Sequence, residues 1–249
     1  VNSVTNAQTD GYFGRNVMLK NDILFTDAYY TDEFFIYDLN SVNRGFSSFS
    51  TAGQILSINN KLECSGGLAG GQFPCNEIDL MSFMDKTQIG GLNSTSLNDI
   101  WGWTDPQTNK EYALVGMSNG TSFVDITDGE NPIYVGRLAT QTNNSTWRDI
   151  KVYQNHAFIV SEAGGHGMQV FDLKELRNYG GSPITFSNTA FYSEFGNAHN
   201  IFINEDTGYA YAVGTSTCGP GGLHIVDIST PTLPSKSACV SDPNVGNER

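Results

Sequence analysis

Polar residues that could do chemistry recur at intervals of fifty and fifty-one residues, each time directly before an isoleucine. They are Asp99, Asp149 and the pair His199 and Asn200, with Asn16 as a fainter copy before a valine. Carboxylates and an imidazole that meet around one axis could hold a hard cation such as calcium, or act as acid and base. The alternative, which we favour, is that these side chains satisfy backbone groups at strand ends and bridge neighbouring units of a repeat.

A second set of candidates follows the second apolar run of each unit. Its members are Asp27, Glu162, His166 and Thr215. Glu162 and His166 could form a metal or acid–base site, but a histidine in a glycine-rich loop is more often solvated, so we favour no site there. The two sets together give five candidate metal ligands, which are Asp99, Asp149, His199, Asn200 and Glu162.

Motifs of the common enzyme classes are missing from the sequence. There is no Gly-x-Ser-x-Gly turn, no phosphate-binding Gly-x-x-x-x-Gly-Lys-Ser/Thr loop, no His-Glu-x-x-His helix and no twelve-residue calcium loop. The cysteines also lack the Cys-x-x-Cys or Cys/His spacing that is typical of a zinc site. The sequence therefore favours a protein without catalytic residues, and it identifies no cofactor.

Short apolar strands must position these candidates, and the strands recur in the same order in every unit. A run such as Ala113–Val115 or Phe158–Val160 is followed by another run that closes on an aspartate. These aspartates are Asp38, Asp125, Asp172 and Asp227, which we interpret as turn caps. Runs this short, rich in β-branched and aromatic residues and bounded by turn residues, predict strands rather than helices.

Four strands in each unit of about fifty residues predict an all-β fold, a β-propeller of four-stranded blades. The units lie near residues 15–45, 98–140, 148–192 and 199–249, and residues 1–249 are one domain or a fragment of one. Four blades can close a ring or belong to a larger one, so the blade number stays open. A parallel β-solenoid is the rival fold, although its coils are usually shorter. Residues 46–97 fit the repeat poorly and predict an irregular, disulfide-stapled insertion.

Cysteines and glycosylation motifs favour a secreted protein. The cysteines are Cys64, Cys75, Cys218 and Cys239, and among three possible connectivities we favour the local one, Cys64–Cys75 and Cys218–Cys239. Asn-x-Ser/Thr motifs occur at Asn93, Asn119, Asn143 and Asn144, of which the last two overlap. In a eukaryotic source, these motifs would agree with a secretory route and a glycoprotein.

The charge balance limits the partners. Thirteen basic and twenty-six acidic residues give a net charge of −13, which repels nucleic acid and anionic lipid. An acidic surface could attract calcium, but keeping an exported protein soluble explains the charge more simply. No apolar run approaches the roughly 18 residues of a membrane-spanning helix, and Val1 starts no signal-like segment, so we interpret the chain as mature exported material.

Several segments together resemble one family. They are residues 98–106 and 111–116, 147–152, 165–172, 198–201 and 221–227, with Cys64 to Cys75. These segments are similar to the choice-of-anchor B family of extracellular proteins built from LVIVD-type repeats. The resemblance implies a β-propeller exported to the cell surface or beyond, with no agreed biochemical activity. It also implies further repeats after Cys239, whereas this chain stops at Arg249, so we expect a shortened relative or a piece of a longer protein.

We expect the chain to be a binding or assembly module, structural or adhesive, of an extracellular surface or matrix. Its partners would be a protein or glycan at the cell surface, or further copies of itself. At least two of Trp101, Trp103 and Trp147 should pack in the core, while exposed aromatic rings would suit such partners. The alternatives are an extracellular hydrolase or lyase that uses Asp99, Asp149 and His199, and a calcium-stabilised scaffold without turnover.

Overall fold

The fold is all-β, as the sequence predicts. The computed structural model describes residues 61–219 and 222–241 and, before them, the backbone of four strands. Strands β1 to β4 are Phe13–Lys20, Ile23–Ala28, Glu33–Asp38 and Ser57–Ile58, and β5 to β8 are Cys64–Ser65, Leu68–Ala69, Phe73–Pro74 and Asp79–Asp85. Sheet I has the order β1-β2-β3-β8-β4, and β5 to β7 form a small separate sheet.

Three further sheets follow along the chain. Strands β9 to β12 are Leu97–Thr104, Glu111–Met117, Gly120–Asp125 and Ile133–Ala139, and β13 to β15 are Arg148–Tyr153, His156–Ser161 and Met168–Asp172. A 3-10 helix at Leu173–Asn178 precedes β16 and β17, Ile184–Phe186 and Ala190–Tyr192. Strands β18 to β21 are Asn200–Asn204, Tyr209–Val213, Leu223–Asp227 and Ser235–Val240. Sheet II has the order β16-β12-β11-β10-β9, sheet III β13-β14-β15-β17 and sheet IV β18-β19-β20-β21.

The first strands of the four sheets lie side by side. Strand β9 contacts β1, β13 contacts β9, and β18 contacts β13. Within sheets II to IV the sequential strands pair antiparallel, and among the described strands only β12 and β16 pair in parallel. The repeat found in the sequence therefore corresponds to a repeated antiparallel sheet.

Apolar side chains fill the spaces between neighbouring sheets because strand residues alternate between the two faces. On β10, Ala113 and Val115 pack in the cluster toward sheet I, while Tyr112 and Leu114 pack toward sheet III. The buried side chains of β14 alternate in the same way between the cluster shared with sheet II and the cluster shared with sheet IV. Sheets II and III are thus covered on both faces.

Among the residues that the structure describes, sheet IV packs against another sheet through one face only. Its residues Ile201, Ala210, Ala212 and Val226 are buried against sheet III. The opposite face, which we call the outer face of sheet IV, carries Phe202, Tyr211, Val213, Leu223, Ile225, Ala238 and Val240. Phe202 is 64% exposed and Val240 is 54% exposed. The central cross-strand row of this face runs from Phe202 through Tyr211 and Ile225 to Ala238.

The strand arrangement differs from the sequence prediction in two places. Strand β8 lies inside the predicted insertion at 46–97, yet it pairs with β3 in sheet I and buries Leu80 and Phe83 on either side of a register shift. The predicted fourth strand of the third unit is two strands, of which β17 pairs with β15 in sheet III and β16 joins sheet II. Gly136 permits the latter pairing, since a Cβ there would lie 2.1 Å from the carbonyl oxygen of Ile184.

No helix among the residues that the structure describes has both the length and the apolar character needed to cross a membrane.

Candidate functional site

The repeated aspartates form hydrogen bonds between neighbouring sheets. Asp99 Oδ2 on β9 accepts the backbone N–H of Ile150 on β13, with a nitrogen–oxygen distance of 2.7 Å. Asp149 Oδ2 accepts the N–H of Ile201 on β18 at the same distance. Each carboxylate is therefore the acceptor for a backbone donor of the next sheet, which is the bridging role described above.

The two carboxyl groups lie next to each other. The N–H of Ile150 also donates to Asp149 Oδ1 at 3.0 Å, so Asp99 and Asp149 share one donor. The Lys151 ammonium contacts Asp149 and lies 4.5 Å from the ring centroid of Trp101. Burial and the neighbouring Asp149 charge raise the pKa of Asp99 to about 8, because two adjacent carboxylates oppose each other's ionisation.

Asn200 takes the same place on β18 that Asp99 and Asp149 take on their strands. Its Nδ2 lies 3.3 Å from Asp149 Oδ2 and donates to it. Asp149 therefore has a neutral amide beside it on one side and a proton-binding carboxyl group on the other. Asn16 and Asp27 lie in β1 and β2, and their side chains are outside the described residues.

His199 pairs with Glu162 instead of an aspartate. Its Nδ1 lies 2.6 Å from Glu162 Oε1, and the ring centroids of His199 and Trp147 are 6.4 Å apart. Both side chains of this pair are partly exposed. The structure thus brings Asp99, Asp149 and Asn200 together and places the imidazole in a separate pair.

His166 is fully buried and does not pair with Glu162. Its Nε2 lies 2.9 Å from an Arg148 nitrogen, and its Nδ1 lies 3.1 Å from the carbonyl oxygen of Gly167. Burial and the Arg148 charge lower the pKa of His166 to about 4, which keeps the ring neutral at neutral pH. Thr215 donates its hydroxyl to the carbonyl oxygen of Thr217 and takes no part in this pair.

Arg148 is the buried residue that sequence reasoning missed. Its guanidinium donates to the carbonyl oxygen of Met117 at 3.0 Å and to Thr140 Oγ1 at 2.9 Å, so it joins sheet III to sheet II. Burial lowers its pKa to about 10. The available signal was its position directly before Asp149, where the other units have Asn98 and His199.

The aspartates that close the third strands form turns, as the sequence predicts. Asp125 accepts the N–H of Thr127, Asp172 that of Lys174 at the start of the 3-10 helix, and Asp227 that of Ser229. Asp38 lies in β3, and its side chain is outside the described residues. These aspartates satisfy local backbone donors.

The four cysteines form the two local disulfides, Cys64–Cys75 and Cys218–Cys239. The second disulfide lies beside the fully buried His224. His224 Nδ1 is 3.6 Å from Cys218 Sγ and 2.8 Å from Thr217 Oγ1, while its Nε2 is 2.7 Å from the Tyr192 hydroxyl. The sequence spacing gave no sign of this Cys–His cluster because Cys239 reaches it from the next strand.

The predicted glycosylation positions differ in exposure. Asn93, Asn143 and Asn144 are exposed, whereas Asn119 is only 9% exposed. A glycan on Asn119 would have to displace packed neighbours.

Of the tryptophans, Trp103 is buried and stacks on Tyr112, Trp147 is partly buried, and Trp101 is 36% exposed.

Part of the chain is similar to a known repeat family. No curated protein sequence matches the chain. Residues 195–242, which contain all of sheet IV, match the family profile of the LVIVD repeat. This part of the chain is therefore similar to the LVIVD repeat.

Proposed function

We propose that the chain is a secreted or cell-surface β-propeller that acts as a binding and assembly module. The repeated sheets of four or five strands, their side-by-side first strands and the match to the LVIVD repeat support the propeller arrangement. The two disulfides support an exported protein. The observation that carries the proposal is the set of exposed apolar side chains on the outer face of sheet IV, which includes Phe202, Val213 and Val240.

This outer face is apolar along its centre, and Asn204 and Asp227 lie at one end of it. Its central row of Phe202, Tyr211, Ile225 and Ala238 contains no charged residue, in a chain with a net charge of −13. The corresponding faces of sheets II and III are covered by a neighbouring sheet. A contiguous exposed apolar patch on an acidic protein is typical of a contact surface.

The partner in this proposal is a second copy of the chain. Sheets II and III show that a sheet of this repeat packs its apolar face on another sheet of the same kind. The same face on both copies gives a two-fold contact, which closes as a dimer. One four-stranded face is small compared with a standard interface of about 800 Å² per partner, so the dimer is weak and depends on protein concentration.

Sedimentation velocity over a concentration series tests the proposal. The wild type should shift from monomer to dimer as the concentration rises. Phe202→Asp should remain monomeric, because a carboxylate would be buried in the contact. Leu92→Asp is the matched control, since Leu92 is 63% exposed and lies before sheet II.

A wild type that stays monomeric at every concentration would overturn the dimer, and so would equal dimerisation of the wild type and the Phe202 variant. Loss of dimer in both variants would mean that an added negative charge prevents dimerisation wherever it is placed. That result would count against the outer face of sheet IV as the contact.

A further inference from the structure

We propose that the Cys218–Cys239 disulfide is one state of a metal site, and that its reduced form binds zinc through Cys218, His224 and Cys239. The ligand atoms of these three residues lie within 4.8 Å of one another. Within the described part of the chain, this is the only group of three or more such residues that could hold a metal ion.

The distances suit tetrahedral zinc. Zinc–sulfur and zinc–nitrogen bonds of about 2.3 and 2.0 Å place the two ligand atoms of a tetrahedral site roughly 3.5 Å apart. His224 Nδ1 and Cys218 Sγ are 3.6 Å apart. The Cα atoms of Cys218 and Cys239 are 5.2 Å apart, so the separated sulfurs stay close to the imidazole.

The surroundings of His224 fit a ligand. The Tyr192 hydroxyl at 2.7 Å can accept the Nε2 proton, which leaves the Nδ1 lone pair directed toward Cys218 and Thr217. Such an outer hydrogen bond fixes the tautomer and orientation of a ligating histidine. Burial lowers the pKa of His224, which favours the neutral ring that binds metal. A water would supply the fourth ligand, and the Thr217 hydroxyl would turn away from Nδ1 when the metal binds.

The redox step requires an external reductant. A small dithiol gives two electrons and two protons to the disulfide and becomes its own cyclic disulfide, while Cys218 and Cys239 become thiols. Zinc then binds the two thiolates and releases two protons to solvent. In the oxidised state the sulfur atoms are bonded to each other, and the site does not bind the ion.

Cobalt absorbance tests the site directly, because thiolate-bound cobalt has a charge-transfer band. The protein treated with dithiol, which is then removed, should bind one cobalt ion per chain, and zinc should displace it. The untreated protein should bind none. A reduced wild type without the band would overturn the proposal, as would a band of equal strength in the oxidised protein.

Variants separate this pair from the other disulfide. The double change Cys218→Ser and Cys239→Ser should abolish the band, and His224→Gln should weaken binding by about tenfold or more. The matched control is the double change Cys64→Ser and Cys75→Ser, which removes the other local disulfide and should leave binding unchanged. Binding that follows Cys64 and Cys75 instead would contradict the assignment.

Alkylation of the reduced wild type avoids variants that fail to fold. Zinc should protect Cys218 and Cys239 from a thiol-alkylating reagent, as read by peptide mass spectrometry, and should leave Cys64 and Cys75 reactive. Equal labelling of all four cysteines with and without zinc would overturn the proposal.

Discussion

At the scale of single residues, the contact between the first strands depends on one proton. Asp99 and Asp149 share the N–H of Ile150, and burial with the Asp149 charge raises the pKa of Asp99 to about 8. At the equivalent place on the next sheet, Asn200 gives Asp149 a neutral amide donor instead. A neutral group at position 99 therefore suits the site better than a second carboxylate.

The first prediction is that Asp99→Asn stabilises the protein at neutral pH. The native state holds a proton on Asp99 that the unfolded state releases above the usual carboxyl pKa of 3.8. Stability of the wild type should thus fall as the pH rises from about 4 to 8. The variant should lose this slope and gain at least about 1 kcal/mol at pH 8, measured by urea unfolding.

Asp149→Asn provides the contrast for this prediction. Asp149 accepts the N–H of Ile201 and contacts the Lys151 ammonium, so the amide leaves that lysine without its charge partner. We expect destabilisation by about 1–3 kcal/mol. A stabilised Asp149 variant together with a destabilised Asp99 variant would contradict the assignment of the proton.

At the scale of elements, an ion pair joins the β9–β10 loop to the 3-10 helix after β15. The Arg177 guanidinium donates to both carboxylate oxygens of the fully buried Asp105, at 2.8 and 2.5 Å. This pairing holds the pKa of Asp105 well below its usual value. The bond fixes the helix of sheet III against sheet II.

The second prediction is that Arg177→Met destabilises the protein more than a change at an exposed lysine of the same helix, because it removes the charge partner of the Asp105 carboxylate. Lys174→Met is the control in the same helix, since Lys174 forms an exposed pair with Asp172 and should contribute less than about 1 kcal/mol. Urea unfolding at pH 7 measures both. Equal losses in the two variants would contradict the role of Asp105.

The third prediction concerns acid. Because the pKa of Asp105 is depressed in the native state, the ion pair stabilises the protein above about pH 4 and stops doing so as the pH falls further. The difference in stability between wild type and Arg177→Met should therefore shrink below pH 4. A difference that stays constant between pH 7 and pH 3 would show that lost packing, not charge, is responsible.

The strands of sheets II to IV could be predicted because apolar runs and closing aspartates repeat with the period of the sheet. Strand β8 could not, since the disulfide-stapled hairpin before it breaks the repeat spacing, although β8 pairs with β3. Strand β16 pairs with β12 in sheet II because Gly136 has no Cβ that would block the approach. The pattern of apolar residues does not predict such a pairing.

The side-chain pairs were harder to predict than the strands. The bridging role of Asp99 and Asp149 follows from their equivalence in the repeat. The partners of His166, His199 and His224 do not, because each is bonded to a residue from another strand or loop, at a distance that sequence spacing does not report.

At the scale of the whole molecule, the net charge opposes dimerisation and the outer face of sheet IV favours it. Twenty-six acidic residues against thirteen basic ones repel a second copy, while the apolar row through Phe202 favours contact. Salt screens the repulsion between exposed charges and leaves apolar contact intact.

The fourth prediction is that dimerisation strengthens with salt. The fraction of dimer at a fixed protein concentration, measured by sedimentation velocity, should rise between low and physiological ionic strength. Phe202→Asp should stay monomeric at both. Dimers that dissociate as salt is added would point to contacts between opposite charges and away from the apolar face.

Hydroxyl-radical footprinting at low and high protein concentration tests the central claim most directly, because it reports the exposure of individual side chains. Phe202 and Tyr211 lie on the outer face of sheet IV, and Leu92 lies elsewhere on the surface. The account predicts that oxidation of Phe202 and Tyr211 falls as the concentration rises while oxidation of Leu92 stays constant. Unchanged oxidation of Phe202 and Tyr211 over the whole series would contradict it.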